Sequence, residues 1–123
     1  MRVLVLEPDS LVARGLSRIL ALLGHEARCP PTAAEARAAL EADPAVDVIL
    51  AAQHLEPGAQ GSEFLRWAAT HVPRARRVLM SAFPCPPDFV EQPGVQLFRP
   101  KPFGRLELEA LLSTREAPTR SRE

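Results

Sequence analysis

The sequence predicts an α/β domain: a five-stranded parallel sheet with helices on both faces. Two observations carry this. Short unbroken apolar runs alternate five times with amphipathic stretches of helical period, and the connections between them are too short for anything but crossover units. The chain has 123 residues, enough for one domain that buries roughly two thirds of its unfolded surface.

Each element has a local reason. Val3-Leu4-Val5-Leu6 is an apolar run ended by Glu7-Pro8-Asp9-Ser10, which reads as a buried strand entering a loop. A helix follows, capped at Asp9 or Ser10. Val12, Leu16, Ile19, Leu20 and Leu23 form its apolar face, and Gly24 stands at its end. Glu26 to Cys29 forms a short strand. Thr32-Ala33-Ala34-Glu35 is a capping box opening a second helix that stops before Pro44. Val46 to Ala52 is the third strand. Ser62 is the expected cap of a helix carrying Phe64, Leu65, Ala68 and Val72, which Pro73 stops.

Val78 to Ser81 is the fourth strand. Pro84 to Gly94 leaves room for no more than a turn of helix around Asp88 to Glu91. Val95 to Phe98 is the fifth strand. A last helix from about Arg105 buries Leu108, Leu111 and Leu112. The domain thus spans residues 1–113, and the polar tail 114–123 is expected to be disordered.

Composition excludes several function classes. Formal net charge is zero, so no nucleic-acid footprint is expected. The longest apolar run falls far short of the ~20 residues that cross a bilayer. The chain begins with a strand-like run and shows no signal-peptide pattern, so a cytoplasmic location is expected. Cys29 and Cys85 are too few for a disulfide frame or zinc site. His25, His54 and His71 lack ligand spacing, and no Ser-His-Asp or Cys-His arrangement suggests a nucleophile.

In a doubly wound sheet, ligands bind beyond the carboxyl ends of the strands. The residues there are Glu7 to Asp9, Ala52 to His54, Ser81-Ala82 and Lys101. Lys101 is singular, because fourteen arginines and this one lysine supply all the side-chain positive charge apart from histidine. Lysine is a compact point charge where arginine is a wide planar fork. Its use here fits a narrow pocket of small oxygens.

At these positions residues 1–113 resemble a response-regulator receiver domain. Ser81-Ala82 resembles the family's Ser/Thr-Ala element, Lys101-Pro102-Phe103 its lysine motif, and Phe98 stands at its switching aromatic. The resemblance implies a flavodoxin-like fold with strand order 2-1-3-4-5, here with the fourth helix shortened by prolines. It also implies an acidic pair after the first strand and a phosphate-accepting aspartate ending the third.

The chain departs from the pattern at both. Five residues on from Asp47, the family spacing lands on Ala52; counting back from Pro57 and Gly61 lands on Gln53. Ala52 is favoured, and neither residue can form an acyl phosphate. Glu7 holds the first acidic position, but Pro8 holds the second, the direct magnesium ligand implied by the resemblance, and has no side-chain oxygen. With Asp9 displaced along the loop, magnesium binding is expected to be weak or absent, and no other cofactor is implied. Lys101 is then expected to pair with Glu7 or with strand-end carbonyls.

The expected role is a stand-alone pseudo-receiver, not an enzyme. It would act in signal transduction by phosphorylation-independent contact with a sensor kinase, another regulator or a second copy as homodimer. Nucleic acid and membrane are not expected partners. Phosphorylation at an unconventional residue and a flavodoxin-like ligand site are the alternatives. Phe98 and outward-facing Leu106 mark the expected interaction face, His54 is expected close to the vestigial pocket without a part in its chemistry, and Glu56 and the Arg74, Arg76, Arg77 cluster are expected to be solvated surface.

Overall fold

A computed structural model of the chain describes residues 1–55, 60–81, 97–100 and 104–113. The strands are β1 (Arg2–Leu6), β2 (Glu26–Arg28), β3 (Val48–Ala52), β4 (Arg76–Ser81) and β5 (Leu97–Pro100). The helices are α1 (Ser10–Leu22), α2 (Ala33–Ala42), α3 (Gly61–His71) and α4 (Arg105–Ser113). All strand pairs are parallel, in the order β2-β1-β3-β4-β5. No helix among the described residues is long and apolar enough to cross a membrane.

Strand alternation divides the core in two. Leu4, Leu6, Ile49, Ala51 and Leu79 face α2 and α3, meeting Ala36, Leu40, Phe64, Leu65 and Ala68. Val3, Val5, Val48, Leu50, Val78 and Met80 face the other way, meeting Leu16 and Leu20 of α1 and Leu108, Leu111 and Leu112 of α4. Because β1 and β3 are buried on both faces, their sequences read as continuous apolar runs.

Caps explain the helix starts. The Asp9 carboxylate accepts from Leu11 N and Val12 N, and Thr32 Oγ1 accepts from Glu35 N at 3.1 Å, each satisfying donors the helix leaves open. Gly24 closes α1 with φ of 90°, a conformation that disfavours any side chain. At the amino end of the sheet, Arg2 N donates to Asp47 Oδ2 at 2.7 Å and Arg2 Nη2 to Asp43 Oδ2 at 2.9 Å. That pairing holds the Asp43 carboxyl below its usual value, with a backbone bond from Ala45 assisting.

Several expectations need correction, among them β3, which begins at Val48 rather than Val46, and β5, which runs on to Pro100 rather than ending at Phe98. Val12 is exposed; the helical period carries the buried face through Ala13, Leu16 and Leu20 instead. The residue capping α3 is Gln60, not Ser62, and the helix begins at Gly61. β4 starts at Arg76 rather than Val78, because strand pairing with β3 extends through Val48↔Arg76. Arg76 and Arg77 are therefore half-buried strand residues, not solvated surface. Arg76 Nη1 donates to Leu111 O, while Arg77 Nη1 donates to Pro73 O and Ala75 O. Burial lowers the Arg77 guanidinium from its ordinary value. The expectations for the shortened helix at Pro84 to Gly94, for Cys85 and Glu56, and for the tail 114–123 lie outside the described residues.

Candidate functional site

The site is the carboxyl end of the sheet, where β1, β3 and β4 release their loops. The register pairs Leu6 with Ala51, so the next residues, Glu7 and Ala52, are neighbours across adjacent strands. Both continue the alternation that points Val3, Val5, Val48 and Leu50 toward α1 and α4. Glu7 is 8% exposed and Ala52 1% exposed. A carboxylate so enclosed is costly unless held by hydrogen bonds. Glu7 Oε2 accepts from Asp9 N at 3.0 Å, which also draws the loop back over the strand end.

Pro8 and Asp9 point the loop elsewhere. Pro8 is exposed and offers no side-chain oxygen. The Asp9 carboxylate is committed to the α1 amino terminus. Among the described residues, no group of three His, Cys, Asp or Glu side chains could hold a metal ion. A hexacoordinate magnesium needs oxygen ligands at near-ideal octahedral positions; among the described residues, this strand end offers it the one buried carboxylate of Glu7 beside Ala52.

Ala52 and Gln53 have different surroundings. Ala52 ends β3 and pairs with Met80. Its carbonyl carries α3: a Cβ on Gly61 would lie 2.0 Å from Ala52 O, so only glycine admits this approach. Gln53 N donates to Met80 O at 3.0 Å, and Gln53 O accepts from Gly61 N at 2.8 Å. The Gln53 side chain turns to α3, where Oε1 accepts from Ser62 N at 3.1 Å. Gln53 thus supplies the cap that Gln60 does not. No sequence motif announces this role, because the cap lies nine residues away from its donor in a loop rather than at the cap position.

Ser81 is the last residue of β4 and pairs with Pro100 of β5. Lys101 follows Pro100 in the sequence. The expectations for the Lys101 pairing and for the side chains of Ser81 and Phe98 lie outside the described residues. Leu106 is 77% exposed, as expected from its place opposite the buried stripe of α4.

An open cleft of about 360 Å³ adjoins Glu7, bordered by Pro8, Ser10, Arg14, Ser17 and Cys29. Ser17 Oγ and Cys29 Sγ are 2.8 Å apart. The histidines have local duties. His71 stacks on Trp67 with ring centroids 4.2 Å apart, exposed His54 bridges to Gln60, and His25 Nδ1 accepts from the Met1 ammonium at 2.9 Å. Burial and that ammonium lower the His25 pKa.

No family model matches the chain, and no curated protein is similar to it. Solved structures are similar. A receiver-domain protein (CheY-like) from Methanospirillum hungatei JF-1 has a TM-score of 0.77 at 19% identity, covering 90% of this chain and 89% of that one. The response regulator TrrA from Thermotoga maritima, solved with Mg2+ and BeF, has a TM-score of 0.78 at 18% identity, covering 90% and 95%. The chemotaxis response regulator CheY4 of Vibrio cholerae has a TM-score of 0.78 at 20% identity, covering 90% and 94%. At these identities the likeness is one of fold: the chain has the CheY-like receiver architecture, a parallel sheet between two layers of helices.

Proposed function

We propose that this chain is a receiver-like signalling module that takes no phosphate and acts through protein–protein contact. One observation carries the reading. The strand-end position beside Glu7 is Ala52, enclosed and without a carboxylate, so no acyl phosphate can form there. The loss of the second acidic residue to Pro8 and the use of Asp9 as a helix cap support it. Without those oxygens, magnesium has no cage and neutralises nothing.

Two-component signalling is the setting the fold favours, with a sensor kinase, another regulator or a second copy as partner in the cytoplasm. In receivers, phosphorylation biases two pre-existing states. Here partner binding would bias them instead. Lys101, next after Pro100 in the sequence, would serve as a structural cation for Glu7 or the strand-end carbonyls.

The test is to add magnesium with a small phosphodonor or beryllofluoride and follow amide shifts and intact mass. Unchanged mass, and unchanged shifts around Glu7, Ser81 and Lys101, are expected. A phosphoryl mass gain would establish an unconventional acceptor and overturn the reading.

A further inference from the structure

The exposed leucines are not spread evenly. Leu11, Leu22 and Leu106 are 74%, 70% and 77% exposed, and all lie on α1 and α4, the two helices covering one face of the sheet. Among the described residues, α2 and α3 expose no large aliphatic side chain. At about 100° per residue, Leu11, Arg18 and Leu22 fall within roughly 40° of one another. That stripe lies opposite buried Ala13, Leu16 and Leu20. Leu106 lies likewise opposite Leu108, Leu111 and Leu112.

Two further observations say what covers this face. The first is charge. Helix α1 carries Arg14 and Arg18 and no acidic residue, whereas α4 exposes Glu109 on one side of Leu106 and Arg105 on the other. The second is Gly15, in the middle of α1 and next to the leucine stripe. A Cβ there would meet nothing within 4 Å, so nothing among the described residues requires glycine, although glycine weakens a helix. A bare backbone on an outward face lets another helix approach closely.

We propose that the α1–α4 face binds a second copy of this chain, with α1 of each copy lying on α4 of the other. Two-fold symmetry makes both crossings at once: leucine meets leucine, Arg18 meets Glu109 of the second copy, and Gly15 sets the closest approach. Helix α1 is about 20 Å long at 1.5 Å per residue, and neighbouring helices lie about 10 Å apart. The patch is then about 400 Å² per copy, below the ~800 Å² of a standard interface. An interface of that size belongs to the weak, transient class, so the association to look for lies in the micromolar range. The inference deepens the interaction role proposed above by naming one partner, and it does not depend on the phosphate chemistry.

Sedimentation velocity of the full chain from about 5 to 500 μM tests it across that range, with thermal melts confirming that each variant folds. The wild type should move from monomer toward dimer. Leu22→Glu and Arg18→Glu should each weaken association at least about tenfold, the scale of a desolvated or reversed charge at an interface. Arg18→Glu combined with Glu109→Arg should restore it. Gly15→Ala should raise the melting temperature yet weaken the dimer. A monomer at every concentration, association indifferent to Leu22→Glu, or failure of the charge swap would each overturn the proposal. A monomeric chain that still takes no phosphate would leave the pseudo-receiver reading standing.

Discussion

Replacing Gly61 by alanine tests how tightly the start of α3 is seated on the end of β3. The added carbon would lie 2.0 Å from Ala52 O, 2.8 Å from Ala52 C and 3.2 Å from Leu79 Cδ1. The first two atoms are backbone of a central strand and have no rotamer by which to yield. The helix start must therefore retreat by more than an ångström. That movement strains the Gly61 N to Gln53 O bond of 2.8 Å and the Ser62 N to Gln53 Oε1 bond of 3.1 Å. Overpacking costs about 1–3 kcal/mol, and each weakened hydrogen bond adds about 0.5–1 kcal/mol. The sum is about 3 kcal/mol, or roughly 12 °C in Tm at about 4 °C per kcal/mol for a domain of this size. Gly15→Ala is the control: with nothing within 4 Å, it should gain about 1 kcal/mol of helix propensity. Circular dichroism melts and urea titrations at low protein concentration read both. A Gly61→Ala protein melting within about 2 °C of wild type, half of the ~4 °C expected per kcal/mol, would refute the close seating.

Three other outcomes follow from the same contacts. Gln53→Ala should cost about 1 kcal/mol in urea unfolding by uncapping Ser62 N, whereas His54→Ala, at an exposed position, should be neutral. Asp43→Asn should flatten the acid limb of stability. The Asp43 carboxyl is held below its usual 3.8 by Arg2, so its stabilisation is complete above that value and is lost as pH falls through the lower folded-state pKa. Wild type and variant should converge at the acid end of a pH series of melts. Ala52→Asp combined with Pro8→Asp should make stability respond to magnesium, by about 2.7 kcal/mol at a hundredfold excess over Kd, while wild type should show no response in the same melts.

The architecture was legible because its signals are local. Unbroken apolar runs at Val3–Leu6 and Val48–Ala52 can only be strands buried on both faces, and Asp9 and Thr32 cap the helices that their positions announce. What the sequence obscured was set by contacts between distant residues. Ser62 looks like a cap, yet the donor it presents is met by Gln53 from the preceding loop. Arg76 and Arg77 look like a surface cluster, but pairing of β4 with β3 draws them into the sheet, where their guanidinium groups find backbone carbonyls. The ambiguity between Ala52 and Gln53 arose because spacing can be counted from either side of a loop whose length differs by one. Strand register distinguishes them physically: Ala52 shares a face with Glu7, and Gln53 turns to α3. The asymmetry of exposed leucine is half visible in the sequence: helical period sets Leu106 opposite the buried stripe of α4, whereas the exposure of Leu11 and Leu22 emerges only with the packing of α1.

The strand-end pocket of Glu7 and Ala52 should accept no phosphoryl group. Intact-mass spectrometry of the wild-type chain after incubation with magnesium and a small-molecule phosphodonor measures this directly. Wild type should keep its mass, and the protein carrying both Pro8→Asp and Ala52→Asp should gain one phosphoryl group. A single phosphoryl adduct on the wild type, mapped to any residue at the carboxyl end of the sheet, would contradict it.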